Sequence, residues 1–471
     1  MEAALLQKWI EKEKRAASLS KRRYLHFDRR INFAANLDSL IDRLSNKDKM
    51  ATHSFYPFVN TIIETPRYKT KLDTDGKRTK KIEIKARPIA YASHFDALVY
   101  SWYSTILTSE YESQLEQWKI KDAVLAYLET GKSNINFAFE TFNHILGQDK
   151  CVALAVDISS FFDNLDHEIL KHNWQKTIKV DRLPADHYNV FNSLTNYTTV
   201  SKNALDEIFA YRLPASRYCR PEEFRTLIRR GKLIQKNPNQ NSIEGSSRFA
   251  KPCGIPQGSP ISAVLSNIYM IDFDQQMRQF ALENLALYKR YCDDIIVVCK
   301  PGDLDNCLEK IKSLALQNQL TINPSKTEII YFSSDSEHLR GYADPGLSRF
   351  KNLQYLGFEF NGTNIYIRPS SISRYQRRLA SEIRECLKAA NGNKAISNIV
   401  FKRRLLKRFT SKGRRNFISY AIRSANDIMK SPTIRRQYSR SMDKVLKSFA
   451  RKQAKFNEKL NAKGLQVKAK R

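Results

Sequence analysis

Two adjacent carboxylates, Asp293 and Asp294, lie between apolar runs, Ala286-Leu287-Tyr288 before them and Ile295-Ile296-Val297-Val298 after. Runs of this kind form β-strands, which puts Tyr291-Cys292-Asp293-Asp294 in the tight turn of a hairpin. Neighbouring anions repel unless a cation sits between them, and paired carboxylate oxygens suit a hard divalent ion such as Mg2+. The bland alternative is an ordinary hairpin turn, in which Asp is common. A third carboxylate bears on the choice. Cys151-Val152-Ala153-Leu154-Ala155-Val156 has the character of a buried strand, and it ends on Asp157.

The elements between these carboxylates decide whether they meet. Asp166 is placed to cap a helix whose apolar face carries Ile169, Leu170, Trp174 and Ile178. Gly254-Ile255-Pro256-Gln257-Gly258-Ser259-Pro260 is turn-rich and opens a second helix, with Ser259 suited to the N-cap and Pro260 to the first turn. Its Gln-Gly loop would present an amide and backbone N–H groups to an anionic ligand. After the Asp-Asp hairpin come an amphipathic helix over residues 304–319 and a strand at Ile329-Ile330-Tyr331-Phe332. The order strand, helix, hairpin, helix, strand predicts a ferredoxin-like sheet, in which the first strand neighbours the hairpin although 136 positions separate 157 from 293. Three carboxylates on two adjacent strands would hold two divalent ions. Such a pair, about 3.5–4 Å apart, serves in-line phosphoryl displacement, one ion at a primer 3′-hydroxyl and one at the triphosphate of an incoming nucleotide.

Composition agrees with a polyanionic substrate. The chain has 471 residues, 80 Lys and Arg against 48 Asp and Glu, and a net charge of +32. Such an excess points to nucleic acid, an acidic protein or a membrane surface. Residues 401–471 alone carry 23 basic and 3 acidic residues together with many Phe, Leu and Tyr, so this is a basic folded unit rather than a tail. Seven cysteines without a Cys-x-x-Cys argue against a disulfide framework or a zinc site. No apolar run approaches membrane-helix length and the N-terminus has no signal-peptide pattern. The expectation is a soluble, cytoplasmic protein that does not engage a membrane.

The remaining chain divides by pattern. Residues 1–60 read as a helical extension, with Leu5, Ile10, Leu37, Leu40, Ile41 and Leu44 at helical spacing. Residues 61–92 read as a basic hairpin turning at Asp73-Thr74-Asp75-Gly76. Phe95, Leu98, Val99 and Trp102 follow on a helix. Residues 180–250 read as an insertion with a loop, ending in the polar stretch 237–248. Tyr355-Leu356-Gly357-Phe358 reads as a Gly-containing hairpin, and residues from 370 onward as basic helices with a Met442, Val445, Leu446, Phe449 stripe.

Taken together these segments resemble a bacterial reverse transcriptase. The motifs, in order over about residues 60–370, are Lys85-Ala86-Arg87-Pro88-Ile89, Asp157-Ile158-Ser159-Ser160-Phe161-Phe162-Asp163, Gly254 to Pro260 with Leu265-Ser266-Asn267-Ile268-Tyr269, Tyr291-Cys292-Asp293-Asp294, Asn323-Pro324-Ser325-Lys326-Thr327 and Tyr355-Leu356-Gly357-Phe358. The resemblance implies an α+β right-hand polymerase: fingers at 61–150, a palm at 151–369 with a fingers insertion at about 180–250, and a helical thumb with C-terminal extension at 370–471. It implies RNA-directed DNA synthesis with two Mg2+ ions (Mn2+ substituting) held by Asp157, Asp293 and Asp294. Lys85 and Arg87, with Lys77 a further candidate, would hold the triphosphate. Phe162 would exclude a 2′-hydroxyl, Gln257 would contact nucleotide or template, and Lys326 would protonate pyrophosphate, a plain surface salt bridge being its alternative. Tyr291, Gly258, Tyr355 and Gly357 would support primer and template. A thumb gripping duplex by its phosphates would bind less tightly as salt rises.

Within the family, Cys-x-x-Cys of an appended endonuclease is absent, Asn203-Ala204-Leu205-Asp206-Glu207 lacks the His of the retron signature, and Gln257-Gly258 is kept where diversity-generating enzymes depart from it. The chain is most similar to the defence-associated ("unknown group") enzymes, which implies a structured noncoding RNA as template, dNTPs as substrate, a DNA product and action against phage. The alternatives are a retron-like or mobile-element enzyme, an RNA-binding protein with a lapsed site, and an RNA-making polymerase, which Phe162 and the Tyr-x-Asp-Asp box disfavour.

Overall fold

Cys151 to Val156 is apolar without alternation because its strand is central and covered on both faces. In the computed structural model, which describes residues 2–18, 24–72, 78–210, 216–236, 252–334, 338–392 and 398–461, the strand Lys150–Asp157 pairs with Asp294–Cys299 on one side and Glu328–Ser334 on the other. Leu287–Tyr291 and Leu339–Tyr342 complete a five-stranded sheet whose pairs are all antiparallel. The first strand and the hairpin are therefore neighbours, as the ferredoxin-like order requires.

The two-residue period of the strands sorts side chains between two cores. Val152, Leu154, Val156, Ile295 and Val297 pack with Leu170, Trp174, Leu265 and Ile311, beneath the helices His167–Ile178, Ser262–Tyr269 and Leu304–Gln317. Cys151, Ala153, Ile296, Val298, Ile330 and Phe332 pack on the opposite face. There they meet Ile135 and Phe142 of the helix Asn134–Leu146 and a small sheet, Leu353–Tyr355, Phe358–Phe360 and Ile365–Ile367. Asp166 caps its helix as expected, accepting from the N–H groups of Glu168 and Ile169 at 2.9 and 3.0 Å.

The segment expected to form the fingers opens with a long hairpin, Phe58–Leu72 with Arg78–Tyr91. Its expected turn at 73–76, and Lys77, lie outside the described residues, as does the polar stretch 237–248. The segment read as an insertion supplies the helices Ala185–Thr195 and Lys202–Ile208. It also supplies the strand Thr198–Ser201, which joins the hairpin in parallel beside Phe58–Asn60. The N-terminal helix Glu2–Ser18 buries Trp9 against Phe33 and Trp102, with ring centroids 5.5 and 5.9 Å away. In the thumb, Val445 and Phe449 of Ser441–Asn461 pack with Leu379, Ile383, Leu405 and Phe409. Met442 and Leu446 lie 40% and 39% exposed, so the buried stripe is narrower than the sequence suggested. All seven cysteines are unbridged.

One boundary differs from the sequence reading. The helix after the Gln-Gly loop begins at Ser262, with Ile261 rather than Ser259 at its N-cap. The loop is first drawn onto the fingers, where the Ala90 N–H donates to the Gln257 carbonyl at 2.8 Å. Ser262 Oγ then donates back to the Pro256 carbonyl at 2.7 Å, so helical geometry starts only beyond these ties.

Candidate active site

The hairpin turn is tight. Tyr291 pairs with Asp294, which leaves Cys292 and Asp293 as its two central residues. Cys292 has φ +59, a conformation that two-residue hairpins normally fill with Gly, Asn or Asp. A side chain held there carries a backbone cost that the surrounding contacts must offset. Asp157 is the cross-strand partner of Asp294, and the Ile158 N–H donates to the Asp293 carbonyl at 3.3 Å. The sheet thus brings together the three carboxylates singled out from the sequence.

Their charges act on one another. Asp294 is exposed at the rim, yet surrounding protein, followed by the charges of Asp293 and Asp157, pushes its pKa up to about 6, against the lowering effect of Lys326 and Arg368. Lys326, 46% exposed, is ion-paired with Asp157 Oδ2. Among the described residues no three Asp, Glu, His or Cys side chains close into a ready-made metal cage. The donor set is nevertheless all-oxygen and mutually repelling, which fits a hard divalent cation that would draw the carboxylates together.

The loop at 254–258 is fixed to both sides of the site. The N–H groups of Gly254 and Ile255 donate to the carbonyls of Leu165 and Phe162, both at 2.9 Å. Gly258 has φ +115, and a Cβ there would stand 2.9 Å from both the Ala90 carbonyl oxygen and Ile89 Cγ2. Only glycine allows this approach of loop to fingers. Phe161 is buried, while Phe162 is half-buried beside it, ring centroids 5.5 Å apart. Gln257 and Lys85 are half-buried, and Arg87 is exposed on the fingers strand leading to Ala90. Tyr291 is half-buried. Tyr355 is buried, its hydroxyl has no hydrogen-bond partner among the described residues, and burial, followed by the charges of Asp294 and Tyr291, raises its pKa. The part of that hairpin open to a ligand is therefore Leu356-Gly357, where φ is +46 and +93. A cleft of about 810 Å³ is lined by Leu356, Gly357, Arg374, Arg378, Arg414 and Arg415; Asp157, Asp293 and Asp294 do not line it.

A buried network behind the turn was not read from the sequence. Arg290 and Asp274 are both 0% exposed. Arg290 Nε and Nη2 donate to the two Asp274 oxygens at 2.7 and 2.6 Å, and Tyr288 Oη donates to Asp274 Oδ1 at 2.6 Å. Arg290 Nη1 donates to the Cys292 carbonyl at 3.0 Å and to Asn267 Oδ1 at 3.3 Å. The guanidinium thus holds the turn that carries Asp293. Its only sequence signal is a charged residue two positions after Tyr288, on the inward side of the strand. Arg368, exposed and acting on Asp294, was likewise unread.

Comparison with known proteins gives the family to which this fold and carboxylate turn belong. The chain matches reverse transcriptase (RNA-dependent DNA polymerase) over residues 98–360, more than half its length, and it belongs to that family. Among solved structures it is similar to apo telomerase from Candida tropicalis, at 12% identity over 90% of this chain and 63% of that one, TM-score 0.42. The same telomerase truncated from its C-terminal domain gives 12% identity over 66% and 57% of the two chains, TM-score 0.38. Telomerase from Candida albicans with a TWJ fragment of telomeric RNA gives 11% identity over 96% and 70%, TM-score 0.39. The chain thus spans less than two thirds of the length of the two Candida tropicalis structures. No curated protein matches it.

Proposed function

We propose that this chain is an RNA-directed DNA polymerase that extends a primer with dNTPs by two-metal phosphoryl transfer. The observation that carries the reading is the cross-strand placement of Asp157 beside Asp294, next to Asp293, on a palm sheet flanked by basic fingers and thumb. Asp157, Asp293 and Asp294 would hold divalent ions, Mg2+ by preference, which when bound lower the charge barrier between attacking hydroxyl and triphosphate. Arg290 keeps the turn in place from behind. Phe162 would pack under the nucleotide sugar, where its ring would disfavour a 2′-hydroxyl. Lys326 sits within reach of Asp157 and, released from it, would give a proton to departing pyrophosphate. Lys85 and Arg87 of the hairpin and Gln257 of the loop tied to it would receive the triphosphate and base. The Leu356-Gly357 tip and the thumb arginines would guide primer and duplex.

The template we propose is a structured noncoding RNA, and the setting antiphage defence in a bacterial cytoplasm. This finer reading rests on the motif pattern: a kept Gln257-Gly258, no Cys-x-x-Cys, and no His after Asn203-Ala204. The test pairs two measurements. Purified protein should incorporate dNTPs on an RNA template with Mg2+, and Asp293→Ala with Asp294→Ala should abolish this. Undiminished incorporation by the double variant would refute the site. Sequencing the co-purified nucleic acid should return one discrete RNA; a random cellular mixture would refute the dedicated template.

A further inference from the structure

Tyr127 has φ +63, a left-handed conformation that is an outlier for a bulky residue. The preceding residues show what enforces it. The Arg290 N–H donates to the Ala123 carbonyl at 2.8 Å, and the Leu125 N–H donates to the Arg290 carbonyl at 3.0 Å. Val124 forms a parallel bridge with Arg290. Asn267 Nδ2 then donates to the Ala126 carbonyl at 2.8 Å. Ala126 is 0% exposed and Tyr127 47%. The chain is thus pinned into the sheet edge up to Ala126 and turned outward at the next residue. Tyr127 stands next to the carboxylate turn: Asn267, which holds the Ala126 carbonyl, and the Cys292 carbonyl both accept from Arg290 Nη1, and Cys292, Tyr291 and Asp293 are electrostatic neighbours of the Tyr127 hydroxyl. Two left-handed non-glycine residues, Tyr127 and Cys292, are thus linked through Arg290 and Asn267. Burying an aromatic ring requires no such arrangement. Bringing a ring to the turn while leaving it 47% exposed does.

We propose that Tyr127 is a nucleic-acid contact of the polymerase site, its open ring face a stacking platform for the nucleotide at the primer end. The inference rests on the polymerase reading above. An exposed ring carried on a pinned backbone loses little freedom when a base or sugar packs on it, and base–aromatic stacking is tolerant of sequence, as an enzyme copying many bases requires. Tyr127 is accordingly a positioning residue and takes no part in bond making.

The test uses Tyr127→Asn, which suits the left-handed backbone without a ring, Tyr127→Gly, which removes the strain, and Tyr127→Phe, which keeps the ring. Affinity for a primer–template with a recessed 3′ end is measured by fluorescence anisotropy, without turnover, beside dNTP incorporation and thermal unfolding. The Asn and Gly variants should unfold at or above the wild-type temperature, bind primer–template about tenfold less tightly, at the weaker end of the stacking range, and show raised KM with kcat within about threefold. Phe should stay within about twofold of wild type in affinity. Wild-type affinity in Asn and Gly, or unfolding temperatures that drop while affinity holds, would make Tyr127 a structural plug and overturn the proposal. Failure of the wild type itself to incorporate dNTPs would instead overturn the polymerase reading, and the anisotropy comparison would still judge Tyr127.

Discussion

Replacing Asp274 by Asn should be far more damaging than its distance from the carboxylates suggests. Asp274 and Arg290 are wholly buried and joined by two hydrogen bonds of 2.7 and 2.6 Å. Removing one charge strands the other in a low-dielectric interior, at a cost of about 3–5 kcal/mol. That is a large share of the roughly 5–15 kcal/mol that holds a domain folded. A second variant separates stability from function. Asp274→Leu with Arg290→Met removes both charges, so the stranded-ion cost disappears. What remains is the loss of partners by the Tyr288 hydroxyl, the Cys292 carbonyl and Asn267 Oδ1, about 1 kcal/mol each at the low end of the cost of an unmade hydrogen bond. Part of the stability should therefore return. Activity should not, because nothing then fixes the Cys292 carbonyl, and a displacement of about 1 Å in reacting groups lowers rates on the order of 100-fold. Urea unfolding gives the stabilities, and single-turnover dNTP incorporation gives the rates. A single variant that loses less than about 1 kcal/mol, or a double variant that keeps the wild-type rate, would refute the role assigned to Arg290.

Two further outcomes follow from the site. The pKa of Asp294, raised from 3.8 to about 6, means the folded state binds its proton more tightly than the unfolded chain. Stability contributed by this group is present below about pH 4 and lost as pH rises to about 6. The shift corresponds to roughly 3 kcal/mol, which solvent screening of an exposed carboxylate reduces to about 1 kcal/mol. Asp294→Asn should thus raise the unfolding temperature at pH 7–8 in divalent-free buffer and have no effect at pH 4, and an equal effect at both would refute the charge repulsion. Gly258→Ala should cost about 1–3 kcal/mol through strain at φ +115 and raise the KM for dNTPs by loosening the loop from Ala90; a variant with wild-type stability and KM would show that the close approach is dispensable.

How much of this was legible in the sequence varies with distance along the chain. Strand, turn and helix character came from local periodicity, so the Asp157 strand, the Asp-Asp turn, the Asp166 cap and the Tyr355–Phe358 hairpin were readable residue by residue. The meeting of Asp157 with the hairpin was also readable, because the order of elements leaves few sheet topologies open. The helix start at Ser262 was not, since Gln257 and Gly258 are claimed by the fingers strand at Ala90, some 170 positions away in sequence. Nor was the Arg290–Asp274 pair, because an arginine in a strand reads as solvated until burial and register place a carboxylate against it. Tyr127 gave no local signal at all. Its conformation is imposed by Arg290 and Asn267, each fixed in its own element. The sequence by itself determined which carboxylates come together and the family to which the chain belongs. Only the tertiary structure decided what holds their turn and which ring stands next to it, because those contacts join segments whose proximity no local pattern encodes.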